Sequence, residues 1–369
     1  MTVPAPPSSP PRLPALDSIR GLAALAVVIN HLFDLSMAVG DPPAGYTAAP
    51  LAPALERLLA SPLAILWNGP GAVALFFVLS GFVLSIPWHH QQAPSYRVFA
   101  IRRLCRIYLP YAAAVALSMI LAAALFDLRP PGISRWFQDE NWTTRPDLAA
   151  VADHLLMLGH HNWFDNPVWS LNHEMRISLL FPLLVWPLIR FGWPAAALGT
   201  IALYGAAGVI TRTFGWDYPS AEIAASVRFA AFFVLGAWLG AVAPRIAACP
   251  ARWRTPAAWA ALLVGLLTLW AWREPATRAI GSALVITAAL IPGAIQSTLL
   301  RAPLRTLGRI SYSLYLVHLP LILTLVCLLT PTIPLPLIAL AGLALALPAA
   351  ALFHRAVEAP AQRLGRHLT

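Results

Sequence analysis

Arg20 and His31 lie eleven residues apart in an otherwise apolar run. At about 100° per residue, that spacing leaves them about 20° apart around a helix and roughly 16 Å apart along it. Arginine keeps its charge and grips phosphate through paired hydrogen bonds, and neutral imidazole is a base at physiological pH. One helical stripe thus joins a phosphate-sized anchor to a proton acceptor. Glu174 closes a second island, Trp169-Ser170-Leu171-Asn172-His173-Glu174, with Arg176 just beyond it. Ser311, Tyr315 and His318 form a third at i, i+4 and i+7, on one face of a helix. Ionisable groups inside a membrane span are costly and usually line a site or a polar path. Imidazole, carboxylate and arginine held in this way point to proton transfer on a charged substrate.

Depth counting sets His31 beside Glu174. His31 lies about six residues from one end of its span and Glu174 about seven residues beyond a helix start near Pro167, so both are expected roughly 10 Å below the same surface. A histidine oriented by a carboxylate is a usual general-base arrangement. Each island also has a plainer reading. Arg20 alone fits cytoplasmic anchoring, and His31 alone a hydrogen-bonded core histidine. Glu174 fits an ion pair with Arg176 or Arg228, and the Ser311 stripe fits interhelical glue.

The elements that must position these groups are membrane helices. Of 369 residues, 59% are hydrophobic and 11% charged, and the mean hydropathy is +0.69. Apolar runs of about 18 or more residues recur from end to end, each able to cross roughly 30 Å of hydrocarbon. Lipid offers no partner to unpaired backbone groups, so the expected architecture is an all-α bundle. Ten spans are expected, near 16–37, 69–88, 107–127, 167–189, 194–211, 225–244, 256–272, 277–296, 310–330 and 334–355. They enclose a polar cavity in one domain over 15–360, between flexible cytoplasmic tails at 1–14 and 361–369. The first span leads straight into others and reads as a retained helix rather than a cleaved signal. The 128–166 loop carries Trp136, Trp142, Trp163 and His160-His161, and fits a lid, an acceptor platform or a solvated loop.

Charge sets the orientation. Sixteen of the 25 arginines fall in loops on the N-terminal side and seven on the other. This bias predicts both termini in the cytoplasm and a multi-pass protein of the inner (plasma) membrane. The net charge of +10 contains no lysine. That excludes Schiff-base chemistry, pyridoxal-phosphate attachment and a P-loop. Basic residues scattered between spans suit a lipid bilayer or a polyphosphate ligand better than nucleic acid. Arg103 and Arg106 share a helical face at i, i+3 and are expected to bind phosphate. Cys105, Cys249 and Cys327 are far apart, without metal spacing or a disulfide framework. His160-x4-Asp165 spells a glycerolipid acyltransferase signature, but its loop is expected on the side opposite that family's acyl donors.

Six stretches then align with one family. They are Leu16-Asp17-Ser18-Ile19-Arg20-Gly21 running on to His31, Leu75-Phe76-Phe77-Val78-Leu79-Ser80-Gly81-Phe82, and Arg102-Arg103-Leu104-Cys105-Arg106-Ile107-Tyr108-Leu109-Pro110. Val168-Trp169-Ser170-Leu171 to Glu174 with Phe181-Pro182, Ser311-Tyr312-Ser313-Leu314-Tyr315-Leu316-Val317-His318 and Glu358-Ala359-Pro360 complete the set. In this order, over nearly the whole chain, they resemble the acyltransferase family 3 membrane proteins. The resemblance implies an acyl-CoA co-substrate, typically acetyl-CoA, bound from the cytoplasm, and acyl transfer to a hydroxyl of an extracytoplasmic acceptor such as a surface glycan. It implies that Arg20, His31, Arg103, Arg106 and Glu174 carry activity. Ala74 and the run His173-Glu174-Met175-Arg176-Ile177-Ser178 depart from the common pattern, which bears on the acceptor more than on the reaction class.

On this reading His31 is the general base and Glu174 its orienting group. Arg20, Arg103 and Arg106 hold the donor's phosphates, and Tyr315 lines the path of its pantetheine arm. Trp169, His173, Arg176, Ser311 and His318 face the substrate. No metal and no permanently bound cofactor is expected. A transporter or flippase for a polar envelope precursor is the alternative, as is a non-catalytic scaffold. The first would more often show paired interrupted helices from internal repeats.

Overall fold

The computed structural model describes residues 13–36, 57–58, 60–131, 133–160, 163–330 and 332–369; most of the expected N-terminal tail lies outside them. Helices account for the regular structure, with no strand among the described residues. We number them α1 (Pro14–Ser36), α2 (Gly69–His89), α3 (Tyr96–Leu128), α4 (Arg135–Glu140) and α5 (Leu148–Leu155). Then follow α6 (Trp169–Phe191), α7 (Trp193–Phe214), α8 (Ser220–Ala247), α9 (Ala251–Ala271) and α10 (Pro275–Leu290). Short α11 (Ala294–Leu299), long α12 (Ala302–Leu329) and α13 (Leu335–His367) complete the chain.

Eight of these helices are long and apolar enough to cross a membrane: α1, α2, α3, α7, α8, α9, α12 and α13. The two other expected spans are helical too. Glu174, Arg176 and Arg190 lower the hydropathy of α6, and α10 has only 16 residues. The bundle is a multi-pass membrane architecture. The segment 361–369, expected as a tail, is largely the helical end of α13, and Gly365 packs against Cys105 on α3.

Glycines set two of the tightest crossings. α1 and α12 meet where Gly21 faces Gly308, and a Cβ on Gly21 would stand 2.6 Å from the Gly308 nitrogen. Gly81 and Gly236 bring α2 and α8 together in the same way, each against the other helix's main chain. Small residues let helices approach where lipid gives little drive for association. Main chain cannot move aside as a side chain can. Gly21→Val is therefore expected to cost about 1–3 kcal/mol or more. A clearly lower melting temperature in detergent is the expected result; an unchanged one would refute the crossing.

Two π turns interrupt the helical ladder, Leu104–Tyr108 in α3 and His354–Glu358 in α13. Each is followed two residues later by a proline, Pro110 and Pro360. Proline lacks an N–H and its ring crowds the carbonyl four residues back. The wider turn relieves that conflict. Near the first, Tyr312 of α12 donates to the Ile107 carbonyl at 2.8 Å. The bulge thus binds the arginine-bearing segment of α3 to the helix that carries His318.

Candidate active site

A polar column runs between α1, α3, α6 and α12. At one end Arg20 donates from Nε to Ser311 Oγ (3.1 Å) and from Nη2 to Asp17 Oδ1 (3.1 Å). Arg103 is buried and donates to Ser178 Oγ (3.0 Å) and Glu174 Oε1 (3.4 Å). Ser80 donates to the same Glu174 oxygen at 2.7 Å. Arg106 is exposed but within electrostatic range of both other arginines. Three expected phosphate contacts, Arg20, Arg103 and Arg106, are thus brought together. Arg103 Nε is buried and has no partner among the described residues.

Midway, Tyr315 donates to the Pro167 carbonyl (2.9 Å) and lies 2.7 Å from Ser170 Oγ. Its hydroxyl is engaged within the protein, while Phe76 meets its ring edge-on. Further on, His31 and His318 face each other, Nδ1 to Nε2 at 2.9 Å, and His318 Nδ1 lies 2.9 Å from the Leu314 carbonyl. Trp136 of α4 covers His31 from the long loop, nearly parallel, with ring centroids 5.2 Å apart.

The expected His31–Glu174 pair does not form. Glu174 sits with Arg103, and His31 with His318. The depth count placed the start of α6 at a membrane surface. Instead Pro167 and Val168 are buried, and the Pro167 carbonyl accepts from Tyr315 of α12. Counting inward from there puts Glu174 roughly 10 Å further along, beside the arginines. Neither Arg176 nor Arg228 is its partner: Arg228 lies over the Trp216 ring.

The family 3 acyltransferase profile, described as an acyltransferase domain, matches residues 13–355. The chain belongs to this acyltransferase family. It is also similar to Acyltransferase MdmB of Streptomyces mycarofaciens, 28% identical over 405 aligned positions that cover 96% of this chain and 92% of the relative. No solved structure matches significantly. The protein is accordingly a multi-pass membrane acyltransferase.

Several residues expected at the acyltransferase's substrate face elsewhere. Arg176 donates to the Met157 (2.7 Å) and Leu158 (2.6 Å) carbonyls, to Glu222 Oε2 (3.0 Å) and to Ser226 Oγ (3.2 Å). That guanidinium fastens the long loop to α6 and α8. His173 is buried, 2.8 Å from Ser226 Oγ, and Trp169 packs against His173 and Phe229. Ser80 and Ser178 stand in the aligned stretches and Trp136 among the loop's tryptophans, but the sequence assigns none of them to the site. The serines carry a weak signal as polar residues on apolar helices. Trp136 is legible only as one tryptophan of a possible lid, because nothing in its spacing points to His31.

The long loop is a packed element of the acyltransferase. Trp142 is buried and donates from Nε1 to Ser118 Oγ and the Phe164 carbonyl, both at 3.1 Å. Arg129 gathers the Phe137 (3.1 Å), Gln138 (3.2 Å) and Asn141 (3.0 Å) carbonyls. Asp165 is fully buried, and neither carboxylate oxygen has a partner among the described residues. Burial holds this carboxyl well above the ordinary carboxylate range. An unfolded chain ionises Asp165 near the ordinary value, whereas the folded chain keeps the proton to higher pH. The native state binds more protons over that interval, so stability falls as pH rises through it. Melting temperature is expected to decline as pH rises above the ordinary carboxylate range, with a shallower slope in Asp165→Asn. Identical slopes would refute the assignment.

Proposed function

We propose that the protein transfers an acyl group, typically acetyl from acetyl-CoA, from cytoplasmic acyl-CoA to a hydroxyl on an extracytoplasmic acceptor such as a surface glycan. The observation that carries this reading is the single column linking three arginines to a paired histidine. Phosphate is matched by Arg20, Arg103 and Arg106 at one end, where Arg103 Nε has a hydrogen to offer. The donor's thioester is drawn toward His31, roughly 16 Å along α1 from Arg20. The arginine end faces the cytoplasm on this reading, in keeping with sixteen arginines on that side against seven on the other.

His31 takes the proton from the acceptor hydroxyl as its oxygen attacks the thioester carbonyl. The new C–O bond forms, the C–S bond breaks, and the proton returns to the departing thiolate. Trp136 gives the acceptor side an aromatic wall. The test is purified protein in liposomes with labelled acetyl-CoA and an envelope extract. Label should move to an envelope molecule, with one free CoA per acyl group transferred. Absence of both transfer and acyl-CoA binding would overturn the reading.

A further inference from the structure

We propose that His318 is a positioning residue that fixes the tautomer of His31 and so makes Nε2 of His31 the proton-accepting atom; this rests on the reading of His31 as general base. The Leu314 carbonyl can only accept. His318 Nδ1 lies 2.9 Å from it and therefore carries the hydrogen. A neutral imidazole has one N–H, so His318 Nε2 presents a lone pair. That lone pair faces His31 Nδ1 at 2.9 Å, which must then donate. The rings are coplanar within 4° and their centroids stand 5.2 Å apart, the arrangement of two imidazoles joined edge to edge. A hydrogen bond in that plane is well aligned. With its hydrogen on Nδ1, His31 keeps its lone pair on Nε2.

The chain has a direction because it begins on backbone. Leu314 and His318 are one turn apart on α12, so the helix itself holds the first bond. Ordinary histidine bases are oriented by a carboxylate or a carbonyl on the second nitrogen. Here a second imidazole relays the carbonyl's preference across a helix interface. Glu174 is not available for the task, because its oxygen is shared by Ser80 and Arg103. When Nε2 takes a proton, the Nδ1–H bond to His318 becomes charge-assisted and strengthens. Stabilisation therefore rises as the transition state develops. His318, expected at the substrate from sequence, instead acts behind the base.

The test compares His318→Ala with His318→Gln in liposomes, each checked for an unchanged melt. Glutamine's Oε1 can accept from His31 Nδ1; alanine cannot. His318→Ala should lower kcat about 10²-fold with little change in KM for acyl-CoA, and His318→Gln should recover most of it. Nitrogen-15 NMR of histidine-labelled wild type, with His31→Gln used for assignment, should show His31 protonated at Nδ1 and bare at Nε2. A wild-type kcat in His318→Ala, equal losses in both variants, or an Nε2-protonated His31 would overturn the proposal. Full activity in His31→Ala would instead overturn the reading on which it rests.

Discussion

Replacing His31 by alanine is expected to lower acyl transfer about 10²–10⁴-fold, the range a lost general base usually costs. Folding and donor binding should survive. His31 is only partly buried, and among the described residues its polar partner is a single histidine. The α1–α12 crossing rests on Gly21 and Gly308 and on buried residues such as Val27 and Val28 of α1. The arginines that are proposed to hold the donor lie a column's length away, so Kd for acyl-CoA should stay within about twofold, as expected for distant and independent sites. Label transfer and equilibrium binding on one preparation separate the two effects. Wild-type turnover in a well-folded His31→Ala protein would remove the base from His31. A large loss of donor affinity instead would place His31 at the thioester rather than at the hydroxyl.

The architecture was legible because its signals are long and local. Apolar runs located the helices, and the shared face of Arg20 and His31 survives as a column wall. Ser311 and His318 do meet those two residues, because α1 and α12 run side by side. The prolines at 110 and 360 were in view, but that each relieves its crowding by a π turn depends on neighbours as well as on the proline. The failure at Glu174 has one cause. The depth count starts from a helix end at the surface, whereas Pro167 is buried against Tyr315. No period in the sequence reports how far a loop sinks into a bundle. The same gap hid Trp136, whose place over His31 is fixed by Arg129 and Trp142 holding the loop in place.

Glu174→Ala should destabilise the protein far more than His31→Ala does, by about 3–5 kcal/mol, because it strands a buried guanidinium. Arg103 is only about a tenth exposed along its side chain, and Glu174 is the carboxylate it meets. With Glu174 gone, Arg103 keeps one hydroxyl, Ser178, and no counter-ion in contact among the described residues. Such a pair can often be replaced as a whole by apolar residues without loss. The double variant Arg103→Leu, Glu174→Leu should therefore melt above either single variant while transferring no acyl group, since donor phosphate would lose its buried arginine. Melting curves in detergent for wild type, both singles and the double give the coupling directly. The decisive contrast is with the arrangement expected from sequence. A carboxylate that oriented His31 would be nearly dispensable for stability, and its loss would appear in the pH–rate profile. A Glu174→Ala protein with a wild-type melt and a displaced pH optimum would return Glu174 to the base, whereas a low melt rescued by removing Arg103 assigns it to the charge that holds the donor end of the column together.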